Sequence, residues 1–213
     1  MNPSPASMVY LIGADLTLGE ALQGLLKSVG LPTLACPDIE AFLAVYRPDK
    51  PACLLLNAEV SGGGNALGLQ QCLREQGIDA PVIIIADHAD VAMAVTALRQ
   101  GALDFLEKPF NEQLLLDGVH QALTMDVTRC RARAQCDDLR RRFDTLTARE
   151  QDVLHWVVQG LSNREIAETL NLSRKTVEVH RAKVMHKMAA DTLSQLVRMA
   201  VAIGILKLYE AET

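Results

Sequence analysis

The segment "PVIIIADHADVAMAVTALRQGALDFLEKPF", Pro81 to Phe110, decides the fold of the first half of the chain. "PVIIIA" is a short apolar run rich in β-branched residues and reads as a strand buried on both faces. "DVAMAVTALRQG" reads as a helix and "LDFLE" as a second strand. The same alternation extends outward. Upstream come the strand "MVYLI" (8–12), the helix "TLGEALQGLLKSVG" ended by Gly30, the short strand "PTLAC", the helix "DIEAFLAVYR" with Asp38 as its N-cap, the strand "ACLLLN" (52–57) and the helix "ALGLQQCLREQG". Downstream, "NEQLLLDGVHQALTM" is a helix capped by Asn111. Strands that alternate with helices imply a parallel sheet covered on both faces.

Five such units within about 120 residues fit a flavodoxin-like arrangement, whose chemistry sits at the carboxyl ends of the strands. Charge separates this half from the rest. Residues 1–124 hold 6 Lys/Arg against 14 Asp/Glu, whereas 125–213 hold 15 against 12. An acidic first half and a basic second half predict two domains, the second with a polyanionic partner. The boundaries are read as 1–124, a helical linker over 125–145 ("DVTRCRARAQCDDLRRRF" within it), and 146–213. The longest apolar runs fall short of the ~20 residues of a membrane span, and no export signal is visible. The five cysteines are scattered without CxxC spacing, so reduced thiols and a cytoplasmic location are expected. There is no GxGxxG, no P-loop, no Ser–His–Asp pattern and no metal cluster. An enzyme is not expected, nor is a cofactor.

From Leu146 onward the pattern is helical with short breaks. "TAREQDVLHWVVQG" carries a capping box, Thr147 with Glu150, and "SNREIAETL" starts on Ser162. "NLS" is a tight turn, "SRKTVEVHRAKVMHKM" is a longer basic helix, and "TLSQLVRMAVAIGIL" is apolar along one face. A short helix, a tight turn and a basic helix make a helix-turn-helix. Spacings of three, four and seven assign Val153, Leu154, Val157, Ile166, Ala167, Leu170, Leu172, Val177, Val184 and Met188 to its core. Arg174, Lys175, Thr176, His180, Arg181 and Lys183 are left on or near an exposed face, suited to phosphates and base edges.

The stretch "LTAREQDVLHWVVQGLSNREIAETLNLSRKTVEVHRAKVMHKM" resembles the DNA-binding domain of the LuxR/FixJ family of transcription regulators, over nearly all of 146–204. The resemblance implies an all-α four-helix domain with Lys175, Thr176, Val177, His180, Arg181 and Lys183 at the DNA surface. Base reading falls to Lys175, Thr176, Val177 and His180, and backbone contact to Arg181 and Lys183. Glu165 is expected to orient basic neighbours. "TLSQLVRMAVAIGIL" resembles the family's fourth helix, through which two domains pair on DNA. The implied partners are double-stranded DNA, a second copy of the chain at least on DNA, and RNA polymerase.

Residues 8–124 resemble a receiver domain of two-component response regulators, most specifically in the "AVxALxxGAxDFLEKPF" ending. Receivers of this kind are phosphorylated on an Asp that ends the third strand. Two acids after the first strand hold Mg²⁺, and a Thr or Ser and a Lys grip the phosphoryl group. By the resemblance, the acceptor position falls on Asn57, the metal acids on Gly13 and Ala14 (with only Asp15 acidic nearby), the Thr on Ala86, the Lys on Lys108 and the aromatic switch on Phe105. An amide cannot form an acyl phosphate, and Gly13 and Ala14 offer no side-chain oxygen to Mg²⁺. The expectation is an atypical receiver whose Lys108 faces an amide and one acid, Asp15, with Glu59 turned to solvent. The chain would then regulate transcription without Asp phosphorylation. The alternatives are a receiver domain that senses a small molecule or partner protein at its small-residue rim (Gly13, Ala14, Ala86, Gly62 to Gly64), and a conventional kinase-switched regulator.

Overall fold

A computed structural model describes residues 7–58, 66–87 and 91–206. The elements run β1 (Met8–Ile12), α1 (Leu16–Ser28), β2 (Thr33–Cys36), α2 (Ile39–Val45), β3 (Ala52–Asn57), α3 (Ala66–Glu75), β4 (Val82–Ala86), α4 (Val91–Arg99), β5 (Asp104–Glu107), α5 (Glu112–Asp144), α6 (Ala148–Val158), α7 (Asn163–Leu170), α8 (Arg174–Met188) and α9 (Leu193–Ala202). The chain divides into two compact units, up to Arg131 and from Ala132.

In the first unit the five strands are parallel in the order β2-β1-β3-β4-β5. This is the flavodoxin-like sheet expected from the alternation. Each strand sends successive side chains to opposite faces, and both faces are covered. On one face Val9, Leu11, Leu55, Ile83 and Ile85 pack against Leu22 and Leu26 of α1 and Leu115, Val119 and Leu123 of α5. On the other, Tyr10, Ile12, Leu54, Leu56 and Ile84 pack against Phe42 of α2, Leu73 of α3 and Ala97 of α4. Every residue of β3 and β4 is buried. That double burial is why their sequences are unbroken apolar runs rather than alternating ones.

The order of the strands reverses between β1 and β3, so the carboxyl ends of β1, β3, β4 and β5 converge where α/β sheets build sites. At the opposite, amino-terminal end of the strands, α5 is tied down near the starts of β3 and β4. The buried Asp126 accepts a hydrogen bond from the Ala52 N–H at 2.8 Å, and Arg129 donates to the carbonyl of Asp79. These anchors lie within the stretch read from the sequence as the start of the linker. α5 itself is one unbroken helix to Asp144, as the absence of turn residues in that stretch predicts.

In the second unit α6 to α9 enclose a core of Leu146, Val153, Leu154, Val157, Ile166, Val177, Val184, Met188, Leu196 and Ala200. The α7–α8 turn is tight because Asn171 adopts left-handed backbone (φ 52°, ψ 51°), which Asn tolerates better than most residues. The Leu172 N–H then donates to Ala167 O at 2.9 Å, and Ser173 caps α8.

Candidate functional site

The pocket at the sheet's carboxyl end is built from strand termini. Asn57, the last residue of β3, is 5% exposed, and its Nδ2 donates to the carbonyl of Gly13 at 3.1 Å. Gly13 can offer that carbonyl because its φ of 71° turns the chain sharply out of β1. The next residue's N–H, that of Ala58, donates to Ile85 O at 2.7 Å and prolongs the ladder beside β4. Asn57 Oδ1 lies 3.5 Å from Lys108 Nζ. Ala86 is buried at the end of β4, and Phe105 is half-buried against the second core face. The Lys108–Pro109 peptide is cis.

The structure corrects one expectation here. Lys108 pairs not with Asp15 but with Asp87, whose Oδ1 lies 2.5 Å from Nζ. Asp15 is exposed and spends its carboxylate on the N-cap of α1, accepting from the Leu18 N–H at 2.8 Å. The reason is local: a carboxylate directly before a helix finds a free backbone N–H within its own first turn. Sequence reasoning passed over Asp87. Its signal was the sheet register, since Ala86 pairs with Glu107, and that places the two following residues side by side. Glu59, Val60, Ser61 and Gly62 to Gly64 lie outside the described residues. Among those described, no three His, Cys, Asp or Glu side chains converge as a metal site would need.

The candidate nucleic-acid interface is α8. Lys175 and Lys183 are exposed and make no ion pair among the described residues. Arg174, also exposed, lies 3.6 Å from Glu178 one turn on. Thr176 is half-buried and shares a hydrogen bond with the Ser173 hydroxyl at 2.8 Å. His180 is half-buried with its Nδ1 enclosed, and Arg181 is half-buried with Nη1 donating to Asn163 Oδ1 at 3.0 Å.

Val177 is a correction. It is fully buried in the core of the unit and presents no side-chain surface to a ligand. It lies seven residues before Val184 and eleven before Met188, so all three share one helical stripe. Of the valines of α8 it is Val179 that is exposed, at 49%. Glu165 is a second correction. Its carboxylate accepts from the Ser162 N–H at 2.7 Å and closes a capping box, while Arg164 pairs with Glu168. The bonds from Ser162 hold the Glu165 carboxyl below the usual range. The capping box at Thr147 and Glu150 forms as predicted, and Glu150 is buried.

On α9, Leu196 and Ala200 are buried in the core, and Leu193 is the large apolar residue left exposed. No helix among the described residues is long and apolar enough to cross a membrane.

Comparison with known proteins agrees with both halves. Residues 9–120 match the response regulator receiver domain, and residues 144–200 match the bacterial regulatory proteins of the luxR family. Nodulation protein W of Bradyrhizobium diazoefficiens is 37% identical over 202 residues, covering 95% of this chain and 88% of that protein. The transcriptional regulatory protein FixJ of the same organism is 34% identical, covering 93% and 96%. Among solved structures, the response regulator StyR superposes with a TM-score of 0.79 at 35% identity, covering 92% of this chain and 98% of that one. A parallel α/β receiver, a basic recognition helix set behind a tight turn, and relatives matched along nearly their whole length lead to one conclusion: the chain belongs to the LuxR/FixJ family of DNA-binding response regulators.

Proposed function

We propose that this regulator controls transcription without phosphorylation of its receiver domain. The observation that carries the reading is Asn57. It stands where the acceptor carboxylate belongs and is buried, with its amide nitrogen committed to the Gly13 carbonyl. An amide nitrogen or oxygen is too weak a nucleophile to take a phosphoryl group. The rest of the pocket supports the same reading. Gly13 and Ala14 bring no oxygen ligand for Mg²⁺, and Ala86 brings no hydroxyl. The charge of Lys108, which a phosphoryl group would otherwise draw, is already met by Asp87. Asn57 and Lys108, both partnered within the chain, favour this reading over a kinase-switched receiver and over a small-molecule sensor at the same spot.

The output is double-stranded DNA in the cytoplasm. Lys175, Thr176 and His180, near the start of α8, read base edges, Arg181 and Lys183 meet phosphates, and Arg174 lies at the same DNA-facing surface. Two copies pair on an imperfect inverted repeat through the α9 face, with RNA polymerase as the downstream partner. The domain limits that go with this reading are 1–124 for the receiver, 125–145 for the linker and 146–213 for the DNA-binding domain.

The test is a titration of the full chain against a genomic fragment that it selects. It is run untreated, with Mg²⁺ and acetyl phosphate, and as Asn57→Asp with the same reagents. Superimposable isotherms are expected. A gain in affinity when the untreated protein meets acetyl phosphate overturns the proposal.

A further inference from the structure

Asn163 opens α7, eighteen residues before Arg181, and the two side chains meet across the helix-turn-helix with Arg181 Nη1 donating to Asn163 Oδ1 at 3.0 Å. Neither local structure nor charge balance requires this bond. The cap of α7 is already complete without Asn163: Ser162 serves the Glu165 N–H and Glu165 serves the Ser162 N–H. Glu165, the carboxylate nearest Asn163 in sequence, is engaged in that cap, and Glu178, the one nearest Arg181, lies beside Arg174. Arg181 makes no ion pair among the described residues, yet its guanidinium is held by Asn163. Arg181 follows Val177 by four residues and precedes Val184 by three, both buried, so its half-buried stem is on the flank of their stripe while its head is fixed from α7.

A neutral acceptor orients a guanidinium without cancelling its charge, which a carboxylate in the same place would do. One donor of the fork goes to Asn163, and the others stay available in a fixed plane. We infer that Asn163 is a positioning residue for DNA binding: it pre-organises Arg181 as a phosphate clamp at the junction of α7 and α8. The inference rests on α8 facing DNA and deepens that reading. Its energetic basis is the ordering cost of a long side chain, which is met in the free protein rather than on binding.

The experiment measures the dependence of DNA affinity on salt for the full chain and for Asn163→Ala, Arg181→Ala, the double variant and Lys183→Ala. Arg181→Ala is expected to lower the slope of log K against log salt by about 1, as loss of one phosphate contact does. Asn163→Ala is expected to weaken binding roughly three- to tenfold, and to have no effect in the Arg181→Ala background. Equal weakening by Asn163→Ala in both backgrounds would mean that it only supports α7, and would overturn the inference. So would an unchanged slope in Arg181→Ala while Lys183→Ala lowers it, which leaves α8 at the DNA. If neither variant moves the slope, the placing of α8 on phosphates falls as well.

Discussion

Single side chains on α8 divide between folding and binding, and two substitutions separate the roles. Val177→Ala removes two buried methyl groups from a filled core. It is expected to cost about 2 kcal/mol of unfolding free energy in urea denaturation, the transfer loss plus a small cavity term. Lys183→Ala removes an exposed side chain. It is expected to leave stability within about 0.5 kcal/mol and to weaken DNA binding alike on specific and unrelated sequences, read by competition titration. A change of sequence preference in that variant would instead place Lys183 on a base. Val177 fits both the core spacing and the family's DNA-surface positions. A family motif marks which positions matter, whereas helical period decides which way each faces, and period was the correct guide. Asp87 was hidden for a different reason. Its partner Lys108 is distant along the chain, and the two meet only through the register of β4 and β5.

Whole elements were the most legible part of the molecule because their signals are local. Asp38, Thr147 and Ser162 each accept the N–H that their position predicts, and the unbroken runs of β3 and β4 match their burial on both faces. The α7 cap also shows what local reasoning missed. Basic neighbours do not claim Glu165, because three residues after Ser162 its nearest unsatisfied donor is the cap's own N–H. Ser162→Ala removes only one arm of this box, since the donor to Glu165 is backbone and survives. The expected loss is about 1 kcal/mol in thermal or chemical unfolding, with α7 still formed. The course of α5 was read correctly from the lack of turn residues. What the sequence could not convey is that Asp126 and Arg129 fasten its middle to the sheet, because their partners are backbone groups far along the chain.

At the scale of the whole molecule, a single acid joins three parts of the second unit. Glu150 Oε2 accepts from the Thr147 N–H at 2.9 Å and from Lys187 Nζ at 2.6 Å, and Lys187 also donates to Thr145 O at 2.9 Å. The hydrogen bond from Lys187, and then that from Thr147, lowers the Glu150 pKa from 4.5 to about 2. A carboxyl depressed on folding stabilises the native state fully above its ordinary pKa, and that contribution fades as pH falls from 4.5 through 2. Glu150→Gln is therefore expected to be less stable than the parent at neutral pH, with the difference closing across that window. Trp156, the single tryptophan and part of α6, reports the transition by fluorescence. A difference that stayed constant down to pH 2 would detach Glu150 from the effect. The receiver pocket bears instead on the ageing of the molecule. Asparagine converts spontaneously to aspartate when the nitrogen of the following residue closes a ring on the side-chain carbon. At Asn57 that nitrogen belongs to Ala58 and is held in the ladder by Ile85 O, while the amide is buried against Gly13. Ring closure would have to break the end of the sheet, so the chemical clock that turns surface asparagines into acids is expected to run slowly at this position, and mass spectrometry of aged protein should find residue 57 still an amide.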